Sequence, residues 1–486
     1  MSRHLPSCLL CAGIFFAIFV FSGSAQGESK PSPLNVILIL ADDLGFGDLG
    51  CYGQKKIKTP YIDQIAAEGM RFTSAYSGNA VCAPSRCCLM TGKHPGHAFV
   101  RDNRQWKPNV QWSGQVPLPE GTATLPRMFK EKGYATAAMG KWGLGSSDNT
   151  GDPAKQGIDH FMGNYCQGHA HNHYPRYIFR NGTKVELEGN DGTTTGKQFT
   201  QDLFETEALK FLKDHKDGPF FLYLPFTIPH LALQVPDDSL AEYKGKFEET
   251  PYKGKAYQPH DTPRAAYAAM ITRMDRTVGR VMSLLKDLKI DEKTLVLFSS
   301  DNGAIDGYAG TDAKFFGSIG DLRGMKGSLY EGGIRTPLLA RWPGKIRPGA
   351  TSNLPTAFWD VLPTLCEAAS ISPPKEIDGV SILPTLLGRE GQKIHDFFYW
   401  EFPSYGGQQA VRSGKWKTVR QKMAKGPSGF ELYDLDADPS EKTDVALKNP
   451  DVVKKLEAIM KREHTPSKEF PLPSVDPPAK KTVEKK

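Results

Sequence analysis

Four short apolar runs in this chain each end directly in polar side chains of the kind that do chemistry, and this pattern constrains the fold most. The first is "NVILILADD", Asn35 to Asp43, ending in Asp42 and Asp43. The second, "YATAAMGKW" (Tyr134 to Trp142), carries Lys141 near its end. The third, "FFLYLPFTIPH" (Phe220 to His230), ends in His230, and the fourth, "TLVLFSSDNG" (Thr294 to Gly303), contains Asp301 and Asn302. Runs that are apolar throughout, without alternation, read as strands buried on both faces, as in a parallel sheet. Between them lie helical patterns: "TPYIDQIAAEGM" opens on Thr59 and Pro60, and Tyr267, Met270, Ile271, Met274, Val278, Val281 and Leu285 keep helical spacing. Strand–helix alternation predicts an α/β fold with a large, mostly parallel mixed sheet flanked by helices. In open sheets of this class the ligand crevice lies beyond the carboxyl ends of the strands. The polar groups at the four strand ends are therefore expected to converge there.

The rest of the chain sets the boundaries. At 486 residues it accommodates one large domain and a smaller one. Arg3 and His4 precede the apolar run Cys8 to Phe21 and then "SGSAQ", a pattern expected of a signal peptide over residues 1–25, cleaved after Ala25. The run falls short of the roughly 20 apolar residues a spanning helix needs. The body, residues 26–384, is expected to be exported and catalytic. Residues 385–464 predict a smaller α+β domain, from two strand patterns and the amphipathic "NPDVVKKLEAIMKREH" with Val452, Val453, Leu456, Ile459 and Met460 on one face. Residues 465–486, rich in Pro and Lys, are expected to be a disordered tail. The net charge of +7 is mild, tolerates an anionic substrate and gives no reason to expect a nucleic-acid partner. Beyond the leader the cysteines are Cys51, Cys82, Cys87, Cys88, Cys166 and Cys366, too few and too irregular for a disulfide scaffold. Asn181 opens an "NGT" sequon that matters only in a eukaryotic host.

Asp42, Asp43, Asp301 and Asn302 are all oxygen donors, which suits Ca²⁺ or Mg²⁺ rather than zinc. Three carboxylates crowded into one cleft would repel one another without a cation. Lys141 in "GKWGLG" and Lys326 in "LRGMKGSLYEGGIR" sit in glycine-flanked loops, where two ammonium groups could clamp a tetrahedral oxyanion. His230 could deliver a proton to a leaving group near neutral pH. "CAPSRCCLMTG" reads as a turn feeding a helix that Gly92 stops, which puts Cys82 at a helix N-terminus where a negatively charged adduct is stabilised and Arg86 can add a fixed contact.

These residues carry a resemblance. Cys82, Pro84, Ser85, Arg86, Thr91 and Gly92 reproduce a pattern similar to the signature of the type I sulfatases, and "ILADDLGFGDLGCYG", "GKWGLG", "FFLYLPFTIPH", "SSDNG" and "RGMKGSLYEGGIRTP" resemble segments of that family in its order. The resemblance implies an alkaline-phosphatase-like α/β core with a small C-terminal antiparallel sheet. It implies that Cys82 becomes Cα-formylglycine through a formylglycine-generating enzyme. It also implies that Asp42, Asp43, Asp301 and Asn302, with the modified Cys82, hold Ca²⁺, that Arg86 supports the formylglycine, and that Lys141, Lys326 and His230 bind sulfate and assist its departure. The implied substrate is a sulfate ester on a polysaccharide or oligosaccharide. The family commonly has "GKWHLG", whereas this chain has Gly143 at the histidine position. His171, and after it His169, on the loop "YCQGHAHNHYP" are expected to stand in; the alternative is that these imidazoles only bind substrate or pack with Tyr165 and Tyr174. A zinc site from His169, His171, His173 and Cys166 explains less than the oxygen-rich site does. Trp106 and Trp112 lie on a polar loop, free either to stack on sugar rings or to pack locally. Two rival readings stay open at this point: a phosphate- or phosphonate-ester hydrolase on the same scaffold, and a non-catalytic glycan-binding protein if Cys82 stays a thiol.

Overall fold

The first apolar run forms strand β1 (Asn35–Ala41), buried along its whole length because both of its faces are covered. Val36, Leu38 and Leu40 join one hydrophobic core, while Ile37, Ile39 and Ala41 join a second one on the other side of the sheet. The computed structural model describes residues 1–2, 33–426 and 429–477. All but two residues of the expected leader lie outside them.

Ten strands of the described residues build the main sheet. In chain order they are β1, β2 (Met70–Phe72), β3 (Ala135–Lys141), β4 (His160–Asn164), β5 (Tyr177–Arg180), β6 (Thr183–Glu186), β7 (Phe220–Pro225), β8 (Thr294–Ser300), β9 (Leu338–Arg341) and β10 (Ala350–Ser352). Their order across the sheet is β10-β2-β9-β8-β1-β7-β3-β4-β5-β6. The central block β8-β1-β7-β3-β4 is wholly parallel, and antiparallel pairings begin where β9 and β5 join it. All four predicted strands lie in this block, so their carboxyl ends share one edge. Register brings them level: Ala41 pairs with Ser300, Leu40 with Pro225 and Ala135 with Phe220. Helix α1 (Cys82–Thr91) packs with the first core and the long α2 (Pro263–Asp287) with the second.

The C-terminal region holds four antiparallel strands, not the two the pattern suggests: β11 (Phe398–Phe402), β12 (Gln408–Ser413), β13 (Trp416–Arg420) and β14 (Glu431–Asp434). "QAVRSGKWKTVR" is itself a hairpin, turned at Gly414 with φ +57°. "FYWEF" is buried at every position and so shows no alternation to read. Helix α3 (Pro450–Glu463) buries Leu456, Ile459 and Met460 against this sheet, with Val452 and Val453 half-buried beside them.

Residues 465–477 correct the expectation of a disordered tail. Phe470 and Leu472 are buried, Arg101 donates to the Thr465 carbonyl at 2.7 Å, and Asp476 pairs with His464 at 3.0 Å. The Pro/Lys composition of the chain end masks two apolar side chains that find a seat. Residues 478–486 lie outside the described residues. No helix among the described residues is long and apolar enough to cross a membrane.

Candidate active site

Helix α1 starts at Cys82. Val81 before it is extended (φ −143°, ψ 165°), and Gly92 ends it in the left-handed region (φ +67°), its N–H donating to the Cys88 carbonyl at 3.0 Å. Every residue of the helix is buried. The Ala83 N–H in its first turn donates to Asn103 Oδ1 at 2.8 Å, a side-chain cap supplied from another segment. Arg86 lies one turn after Cys82 and so on the same face. Its guanidinium reaches Asp301 Oδ2 at 2.7 and 3.1 Å and donates to the Lys141 carbonyl at 2.8 Å. The expected turn feeding a helix stopped by Gly92 is present, and Arg86 is buried on it.

The strand ends converge on this point. The Asp301 N–H donates to the Ala41 carbonyl at 3.1 Å, which extends the β1–β8 register into the loops. Asp43 adopts φ +64°, so the chain turns sharply and both successive carboxylates join one cluster, where strict alternation would send them to opposite faces. Cys82 Sγ lies 3.4 Å from Asp42 Oδ1, and Lys141 Nζ contacts Asp42 Oδ2 at 2.5 Å. Lys326 Nζ sits 2.7 Å from Asp43 Oδ2, His230 Nε2 lies 3.4 Å from the same oxygen, and Asn302 Nδ2 donates to Asp43 Oδ1 at 2.7 Å. One possible ligand atom each from Asp42, Asp43, Cys82 and His230 all fall within 4.8 Å of one another.

The electrostatics follow from burial and crowding. Burial works to raise Asp42, but Lys141, Arg86 and Lys326 outweigh it and hold the carboxyl well below its usual range. Burial raises Asp43, and burial with the Asp42 charge lifts Asp301 to about 6. Burial, then the Asp301 charge, pushes the Cys82 thiol far up, so an unmodified thiol here is a poor nucleophile. Burial also holds His171 down at about 3 and His230 well below its ordinary value, which keeps both imidazoles neutral. His230 Nδ1 donates to the Leu231 carbonyl at 2.6 Å, which leaves Nε2 as a lone pair facing Asp43.

A divalent cation fits this donor set. Asn302 Oδ1 is buried without a partner beside three carboxylates, and hard oxygen donors are what Ca²⁺ takes.

The site opens into a cleft of about 330 Å³. Cys82, His171, His230 and Lys326 line it, together with Gln115 and Gln167. His171 stacks on His230 with ring centroids 4.5 Å apart. His169 corrects the expectation: it does not line the cleft but packs among Trp112, Tyr177 and Phe179. His173 lies behind the site, donating to the His230 carbonyl at 3.0 Å. Among the described residues, these imidazoles and Cys166 do not come together as a metal-holding group. Trp112 stacks on His169 and Trp106 stands on an outer loop, so neither lines the cleft. Reading the sequence missed Gln167, although it stands two residues before His169 in the loop already singled out. None of the six cysteines beyond the leader is joined in a disulfide among the described residues.

Comparison with known proteins is consistent along the whole body. The sulfatase family model matches residues 34–371, and the model of the N-sulphoglucosamine sulphohydrolase C-terminal region matches residues 325–466. Canine N-acetylgalactosamine-6-sulfatase is 33% identical over 79% of this chain and 72% of its own length. Human arylsulfatase A is 33% identical over 90% of this chain and 88% of its own. Among solved structures, Ps i-CgsB superposes with a TM-score of 0.71 at 28% identity, covering 88% of this chain and 93% of that one. With its mixed sheet, its second antiparallel sheet and acidic, basic and imidazole groups gathered around one buried cysteine, the chain belongs to the sulfatase family of sulfuric ester hydrolases, on the alkaline-phosphatase-like fold.

Proposed function

We propose that this sulfatase removes sulfate from a carbohydrate, an oligosaccharide or polysaccharide, with Cys82 converted to formylglycine and Ca²⁺ held by Asp42, Asp43, Asp301 and Asn302. The convergence of those four residues with Lys141, Lys326, His230 and Arg86 around residue 82 carries the reading. The carbohydrate class is supported by the relatives, which include N-acetylgalactosamine-6-sulfatases, and by Ps i-CgsB, also solved with a neocarrahexaose. Conversion of Cys82 has to precede folding, since the side chain is only 1% exposed. The apolar leader supports export.

Formylglycine at residue 82 would supply a hydrated aldehyde, with one hydroxyl as the nucleophile toward sulfur and the other to release sulfate. Ca²⁺ would offset the charge of the crowded carboxylates and would supply Lewis acidity toward the sulfate oxygens. The chain's own groups do the rest. Arg86 fixes the base of the site through Asp301, and Lys141 and Lys326 place two ammonium charges against the incoming anion. His230 presents the Nε2 lone pair as the point where a proton is taken up and returned, its tautomer pinned by the Leu231 carbonyl. His171, stacked on that ring, lines the cleft beside it as a neutral imidazole.

The test uses protein co-produced with a formylglycine-generating enzyme, with the residue-82 peptide checked by mass spectrometry. Sulfated sugars and matched phosphate esters are then compared. The aldehyde form should turn over sulfate esters, and C82A should lose turnover by at least about a thousandfold. An aldehyde-bearing enzyme that cleaves only the phosphate or phosphonate ester would sink the proposal.

A further inference from the structure

Gln167 is buried, 4% exposed, yet neither its Nε2 nor its Oε1 has a hydrogen-bond partner. A buried unpaired amide is destabilising, and native structures tolerate few of them without a reason. The position of this one supplies the reason. The residue lines the same cleft as Cys82, His171, His230 and Lys326. It is not needed to hold its loop, because the backbone N–H of Gln167 already donates to Gln115 Oε1 at 2.9 Å.

Gly143 explains how the carboxamide gets there. A Cβ at Gly143 would fall 2.1 Å from Gln167 Nε2, and the glycine adopts φ +77°. Any side chain at 143 would displace the amide, so the space above the Lys141 loop belongs to Gln167. That Cβ position is also 3.9 Å from Arg86 Cδ, so the amide lies beside the buried side chain that donates to the Lys141 carbonyl.

We propose that Gln167 is a substrate-contacting residue: its Nε2 donates to an oxygen of the sulfate ester, and its Oε1 accepts from a hydroxyl of the esterified sugar. The inference rests on the sulfatase reading and deepens it. The cations at the site are already engaged with carboxylates, Lys141 on Asp42, Lys326 on Asp43 and Arg86 on Asp301. A tetrahedral sulfuryl group presents more acceptor oxygens than those ammonium groups can cover, and a neutral N–H donor meets one without adding charge. A carboxamide does not titrate, so Gln167 orients the ester and transfers no proton.

Q167A, Q167N and Q167E, each with the aldehyde at residue 82 confirmed, separate this role from a structural one. Two readouts are used: kcat and KM on the sulfated sugars of the preceding test, and the rise in Tm on adding inorganic sulfate. For Q167A, kcat/KM should fall about 10- to 100-fold, the range of a lost hydrogen bond to a charged group. Its Tm without sulfate should hold or rise, since an unpaired buried polar group has been removed, and its sulfate-induced Tm rise should shrink. Q167N should retain an intermediate activity. Q167E should lose more than Q167A at neutral pH and recover part of it as the pH falls and the new carboxyl takes up a proton. A Q167A enzyme within twofold of the parent in kcat/KM and in its sulfate response overturns the inference, and so does a fall in Tm with sulfate affinity unchanged. An inactive parent would count against the sulfatase reading instead, and the sulfate-induced Tm rise would still decide the role of Gln167.

Discussion

His169 shows what burial does to a single side chain. It sits in an aromatic cage with Nδ1 unpartnered, and burial lowers its pKa from 6.5 to about 4. In the unfolded chain the same imidazole takes up its proton near the ordinary value. The stability owed to the neutral ring is therefore complete above about pH 6.5 and is lost as the pH falls toward 4, by up to about 3 kcal/mol. His97 works the other way: its hydrogen bond to Asp378 raises it, so its contribution is present below the ordinary value and disappears as the pH rises through the raised one. H169F should flatten the acid side of the stability curve. Denaturant unfolding of parent and variant from pH 7.5 to pH 4.5 reads this, and parallel curves would refute it. The same residue marks a limit of sequence reading. A histidine in "CQGHAHNHYP" looks as catalytic as its neighbours, and only packing tells the one facing the cleft, His171, from the one facing Trp112.

At the scale of elements, one buried ion cluster joins β13 to the segment ahead of β9. Lys417 lies fully buried, 2.9 Å from both Glu331 and Glu441. Burial works to raise Glu331, but Lys417 and Arg335 outweigh it and hold that carboxyl at about 2. Removing the cation while leaving both carboxylates is the costly way to break such a cluster. K417M is expected to lose about 3–5 kcal/mol, seen as a lower urea midpoint with m unchanged. A loss under about 1 kcal/mol would show that Arg335 and Arg412 carry the pair unaided. The strands this cluster joins were only half legible. β12 and β13 share one run of sequence with a glycine turn, and β11 is buried on both faces, so the period of burial that normally marks a strand is missing. The four central strands were legible because burial on both faces leaves a contiguous apolar run between polar ends.

For the whole molecule, the described C-terminal residues are part of the folded body. Burial of Phe470 and Leu472 contributes about 1.5–3 kcal/mol each. A chain ended after His464 should therefore melt several degrees lower, measured by calorimetry, and should bind an apolar dye that the full chain does not. An unchanged Tm would show the segment to be dispensable. The sequence alone determined the fold class, the parallel order of the chemistry-bearing strands and which residues could gather around Cys82, because unbroken apolar runs with polar ends leave few alternatives to a parallel sheet with its crevice at one edge. Tertiary structure alone decided which histidine reaches the cleft, that Gln167 fills the space Gly143 leaves, and that the chain beyond His464 is seated. Each of those depends on which surfaces meet across long separations, and local pattern carries no record of that.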